Sequence, residues 1–197
     1  MHRLFVGLVV SLFVFAAFGQ ETVKPEAKNA ATALDSAAIQ QLIEKQFGPG
    51  FTLAPEFAGF TADLDNDSTP DLVLVAHDAN PLLNQVEYKY KVIDPYDSFY
   101  GYGDPRVTMG FNNQDPRNKG LVVLILHSAA GERWDAATPK AKFVVINLPF
   151  TKISASQVVA HKKPIAAVAA EEADLVSSVI FWDGKKYKYR PNGAASE

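Results

Sequence analysis

After residue 50 the chain is a succession of short apolar runs broken by turn residues, and that rhythm restricts its fold more than any other feature. Ala58, Phe60, Ala62 and Leu64 alternate with Gly59, Thr61 and Asp63, which predicts a half-buried strand. Leu72 to Ala76 (LVLVA) is continuously apolar and predicts a central strand. Leu121 to Leu126 (LVVLIL) and Phe143 to Ile146 predict two more buried strands. Val86, Tyr88, Tyr90 and Val92 alternate with Glu87, Lys89 and Lys91, which predicts a strand with one wet face. Val179 to Trp182 and Lys185 to Tyr189 flank Asp183-Gly184, a strong hairpin signal. Ahead of the strands, Leu34, Ile39, Leu42, Ile43 and Phe47 recur at helical spacing, with Asp35 or Ser36 as cap and Gly48-Pro49-Gly50 as stop. This predicts a helix over 36–47, and short helices are expected near 154–161 or 168–173. The sum is an α+β domain, an N-terminal helix packed on a mostly antiparallel sheet of about six strands.

The first nineteen residues belong to a different class. Met1-His2-Arg3 is a short basic start, and Leu4 to Phe18 is apolar except for Gly7 and Ser11. Ala17 and Gly19 stand three and one positions before a cut ahead of Gln20, the pattern of a cleavable secretory signal. The run is shorter than the roughly 20 apolar residues of a membrane helix. Residues 1–19 are therefore expected to direct export, to the periplasm or the exterior, leaving no membrane segment after cleavage. With no cysteine, a lipid-modified amino terminus is not expected. Residues 20–33 read as a flexible leader and 34–197 as a single globular domain. Removing Arg3 and no acid takes the formal charge from −3 to −4, which offers no general attraction to nucleic acid. An exported chain without cysteine cannot be stapled by disulfides, so packing or bound ions must hold it.

One segment carries chemistry. Residues 61–76 read TADLDNDSTPDLVLVA, with Asp63, Asp65 and Asp67 at positions 1, 3 and 5 of a loop and Asp71 at position 9. Calcium takes about six to eight hard oxygens, and alternate carboxylates in a tight loop can converge on one ion. The main-chain carbonyl of Thr69, at position 7, is the natural additional ligand. The EF-hand reading fails, because Ser68 stands where that loop needs glycine and Leu74 where it needs a bidentate glutamate. The loop instead resembles the calcium loop of FG-GAP or VCBS-type (integrin-like) repeats over residues 58–76, with Ser68 in place of the usual glycine. That resemblance implies a calcium ion held by Asp63, Asp65, Asp67, Thr69 and Asp71. A propeller repeats a four-stranded blade about four to eight times, and this chain has a single copy of the motif, so a hairpin and not a propeller is expected. The ending Trp182 to Tyr187 (WDGKKY) also resembles the closing hairpin of small exported bacterial domains of unassigned function. Asp, Asn, Ser and Pro are equally the residues of a solvated acidic turn, and that alternative stays open.

Other residues suggest further chemistry. His77 ends the strand leaving the aspartate loop and His127 ends LVVLIL, so side-by-side strands would pair two imidazoles. That is the basis of an alternative function, a small extracytoplasmic hydrolase using His77 and His127 near the acidic loop. The aromatic and glycine-rich loop 94–120 suits either a glycan or peptide groove or simple anchoring of a long loop. Lys185, Lys186, Lys188 and Arg190 read as a charged edge strand. The leading expectation is an exported non-enzymatic domain with a structural calcium loop, a binding or accessory module for an extracytoplasmic protein or glycan.

Overall fold

The computed structural model describes residues 35–95, 120–160, 162–171 and 177–191. The expected signal and leader, most of the 94–120 loop and His161 lie outside the described residues. Helix α1 (Ser36–Phe47) begins at Asp35, whose Oδ1 accepts from the Ala37 N–H at 3.1 Å. The carboxylate thereby satisfies one of the free N–H groups of the first turn. Gly48 then leaves the helix at φ +109°, and a Cβ there would lie 2.9 Å from the Tyr88 ring.

Among the described residues the strands form two sheets. The first contains β1 (Thr52–Leu53), β2 (Phe60–Ala62), β3 (Asp71–His77), β4 (Lys91–Ile93), β5 (Leu121–His127) and β6 (Ala141–Val145). Their order is β1-β3-β5-β6-β4, with β2 also on β3; every pair is antiparallel except β4 with β6. The second sheet is antiparallel in the order β10-β9-β8-β7, from β7 (Lys152–Ala160), β8 (Lys163–Glu171), β9 (Ser177–Trp182) and β10 (Tyr187–Pro191).

The first sheet is a middle layer. Leu72, Leu74, Ala76, Val122, Leu124, Leu126 and Val144 face Ile39, Ile43 and Phe47 of α1. The alternate positions Val73, Val75, Val123, Ile125, Phe143 and Val145 pack against Ile153, Val168, Ala170, Ile180 and Tyr187 of the second sheet. Side chains of a strand alternate between faces, so a strand covered on both sides must be apolar at every position. That is why LVLVA and LVVLIL lack alternation. Each fully buried Val, Leu or Ile there contributes about 1.5–3 kcal/mol.

The helix over 36–47, capped by Asp35, and the strands at 72–76, 121–126 and 143–146 stand where their patterns predict. The expected single sheet of about six strands is corrected to two sheets, and the described residues are mostly β with an N-terminal helix and form no closed propeller. The short helices expected near 154–161 or 168–173 are replaced, over the described residues 154–160 and 168–171, by the long pair β7–β8, whose nine-residue register runs from Lys152↔Glu171 to Ala160↔Lys163. The alternating stretch from Val86 to Val92 is a strand only at its end. Residues Gln85–Tyr88 form a short helix α2, Lys89 turns into the left-handed region at φ +55°, and Val86 is 85 % exposed. The closing hairpin has a four-residue turn, Asp183 to Lys186, with Tyr187 opposite Trp182.

Asp78, just beyond β3, is a buried carboxylate away from the loop. Its Oδ1 accepts from the Asn80 N–H at 2.6 Å, and its own N–H donates to the Gly120 carbonyl at 2.8 Å. Burial pushes its pKa up, against the pull of the Asn80 N–H. Above the ordinary aspartate pKa of about 3.9 the unfolded chain loses this proton while the folded one keeps it. Stability from this group therefore falls as pH climbs through that window. Asp78→Asn keeps the Oδ1 acceptor and removes the charge. In urea denaturation the variant should gain on the parent between about pH 3 and about pH 7; an equal difference at both pH values would exclude this origin.

Candidate metal centre

The aspartate loop, residues 63–70, joins β2 to β3 at one end of the middle sheet, where Ala62 pairs with Asp71. Its side chains build it. Asp63 Oδ1 accepts from the Asp67 N–H at 3.0 Å and Oδ2 from the Ser68 N–H at 2.9 Å. Asp67 Oδ1 accepts from the Thr69 N–H at 3.0 Å. Aspartates bond readily to backbone groups a few residues on, which is how a turn this tight closes. Asn66 and Ser68 take positive φ of 61° and 69°. Ser68 thus adopts the left-handed backbone that glycine favours, at a cost of roughly 1 kcal/mol.

Asp71 is fully buried and ties the loop to its neighbours. Its Oδ2 accepts from the Leu64 N–H and its Oδ1 from the Ser128 N–H, both at 2.9 Å. Ser128 Oγ in turn donates to the Pro70 carbonyl at 2.6 Å. Burial drives the Asp71 pKa up to about 7; the two N–H groups oppose that rise, and the charges of Asp65 and Asp67 add to it.

The carboxylates of Asp63, Asp65 and Asp71 each bring an oxygen within 4.8 Å of the other two, a group that could hold a metal ion. The Asp65 side chain is only 4 % exposed, and its Oδ1 is buried without a hydrogen-bond partner. An unpaired buried carboxylate oxygen is costly, and a divalent cation is a partner that removes the cost. Asp67 stands apart from the trio. Its Oδ2 meets the Lys140 ammonium at 2.7 Å, and that hydrogen bond lowers its pKa. Thr69 is buried, and its Oγ1 accepts from the Gly131 N–H at 3.3 Å.

Residues from outside the loop complete the setting, and the sheet register delivers them. The β5–β6 pairing sets His127 opposite Ala141, so Lys140 arrives beside His127 and donates its N–H to that carbonyl at 2.9 Å. Lys140 Nζ bridges Asp65 Oδ2 and Asp67 Oδ2, 2.7 Å from each, and both contacts raise its pKa. His127 is 2 % exposed, and burial holds its pKa down to about 4, against the opposing pull of Asp65. Its imidazole is therefore neutral at neutral pH. Tyr187, buried and with its pKa raised well above 10, keeps its proton; its Oη lies 2.6 Å from His127 Nε2. Asp65 Oδ2 lies 3.4 Å from Nδ1 and favours the tautomer protonated there, which leaves Nε2 as the acceptor for the phenol. Phe143, Trp182 and Tyr187 enclose the imidazole with ring centroids 5.0 to 5.7 Å away.

The two histidines do not pair. β3 and β5 are neighbours, but antiparallel, so His77 lies opposite Leu121 at the far end of β5 from His127. His77 is half exposed and stands 3.6 Å from Glu56. Sequence reasoning found the aspartates from their spacing but missed Lys140 and Tyr187 as their neighbours, since no local pattern marks either. No family model, curated protein or solved structure matches the chain.

Proposed function

We propose that residues 63–71 are a structural calcium site in an exported, non-enzymatic binding or accessory domain. The carrying observation is the buried, unpartnered Asp65 Oδ1 within a trio of converging carboxylates. Asp63, Asp65 and Asp71 would hold the ion, with Asp67 and the Thr69 carbonyl as the loop's further ligands. Calcium would supply charge neutralisation within the β2–β3 loop, whose Asp71 already ties it to Ser128 beyond β5. The oxygen-only donor set suits a hard cation rather than zinc or copper. Export supports the same reading, since extracellular modules work with dissociation constants of about 10⁻⁴–10⁻³ M. A loop strained at Ser68 can still fill under those conditions. The hydrolase alternative has lost its histidine pair, and His127 is buried among aromatic rings. The partner is proposed to be an extracytoplasmic protein or glycan.

Thermal melts with about 10 mM calcium and with chelator test the ion. For the dissociation constants above, linkage adds roughly 1.4–2.7 kcal/mol, a rise of about 3–11 °C for a chain of this size. Asp65→Ala with Asp67→Ala should abolish the shift. An unshifted parent melt would leave the loop a plain acidic turn.

A further inference from the structure

The rings that enclose His127 also line a recess of about 310 Å³ between the two sheets. Phe143, Trp182 and Tyr187 form its floor, and Lys91, Lys185 and Lys186 stand around it with Asp94. All three lysines are exposed. Local structure sets them there. Lys91 opens the edge strand β4, and the Asp183 turn displays the other two at its tip. Asp183 Oδ1 accepts from the N–H groups of both Lys185 and Lys186, at 2.9 and 2.8 Å, and Gly184 takes φ +96°.

These lysines differ from the others nearby in their partners. Lys140, Lys152 and Lys188 each lie within 4.0 Å of a carboxylate, whereas Lys91, Lys185 and Lys186 have none that close among the described residues, Lys186 acting on Asp183 only at longer range. Asp94, the one acid among the described residues lining the recess, has its Oδ2 engaged by the Asn147 amide at 2.7 Å. Three exposed lysines and three rings thus line one recess, of which Trp182 is the most accessible ring, since Phe143 and Tyr187 are each 3 % exposed. Unpaired like charges repel, and an anion entering among them gains attraction from all three. The volume is at the small end of ligand pockets, about 300–1,000 Å³, enough for one ring bearing an acid group.

We propose that this recess binds a small ring-bearing anion, its ring against Trp182 and its acid group among Lys91, Lys185 and Lys186. The site uses no carboxylate of the aspartate loop and stands independently of the calcium reading. The chain has two tryptophans, so in a Trp134→Phe background the emission reports Trp182 alone. Glucuronate and 4-hydroxybenzoate serve as probes for a sugar ring and an aryl ring, titrated by calorimetry, with Trp182 emission followed for glucuronate. Glucose and benzyl alcohol are the neutral controls. At least one acid should bind saturably, with a dissociation constant on the order of 1 mM for a ligand of that size. The acid that binds identifies the ring. Affinity should fall at least tenfold in Lys91→Met/Lys185→Met/Lys186→Met and weaken with added salt, while a neutral control binds more weakly than its acid. Because these lysines are exposed, the triple variant should keep the parent's urea midpoint. Absence of saturable binding by both acids, or unchanged affinity in a folded triple variant, would overturn the proposal.

Discussion

Asp71→Ala should lower the urea-denaturation free energy by about 3 kcal/mol, measured in chelator so that no ion contributes. The carboxylate is fully buried and accepts from two backbone N–H groups, those of Leu64 and Ser128. Alanine leaves both donors without a partner, and each unsatisfied buried group costs roughly 1–3 kcal/mol. An opposing effect is real but smaller. Removing Asp71 relieves repulsion from Asp65 and Asp67, yet with a pKa of about 7 the group already escapes much of that cost by taking a proton near neutral pH. Asp71→Asn retains one acceptor but turns its amide hydrogens toward the other donor, so it should lose about half as much. A loss below about 1 kcal/mol for alanine would show that the loop does not depend on this tie.

The response to Asp71 bears on what the sequence could disclose. The apolar runs of β3 and β5 marked buried strands because a strand buried on both faces has no polar option at any position. Helix α1 was legible for the opposite reason: its one buried face repeats at helical spacing, and Asp35 and Gly48 mark its ends. Val86 to Val92 misled, since alternation describes a strand only where one face is covered, and Val86 is exposed. Short helices are expected near 154–161 or 168–173, but pairing along β7–β8 makes the described part of both ranges strand. The candidate site divides in the same way. Its aspartates lie within nine residues and declare themselves by spacing, whereas His127 and Tyr187 are 60 residues apart and Lys140 is 75 from Asp65. Register across two sheets brings those together, and register is a property of the assembled fold.

Long-range register also sets the behaviour of the loop toward cations. Lys140→Met should tighten calcium binding about five- to tenfold while lowering stability in chelator by about 1 kcal/mol. Lys140 Nζ lies 2.7 Å from oxygens of both Asp65 and Asp67, two of the proposed ligands, so the ion must share or displace that ammonium. The side chain is 47 % exposed, so its pairs are solvent-screened and together contribute about 1 kcal/mol, not the larger figure two buried contacts would suggest. Because about 1.4 kcal/mol corresponds to a factor of ten, releasing the ammonium yields the stated gain in affinity. Methionine keeps an apolar stem without charge. The melt in chelator should drop and the melt in calcium recover, widening the gap between them. A domain in which Lys140 itself is the permanent counterion behaves differently: the variant loses stability equally with and without calcium. Calorimetric titration of calcium into parent and variant distinguishes the two, and equal or weaker binding in the variant would rule out competition by Lys140.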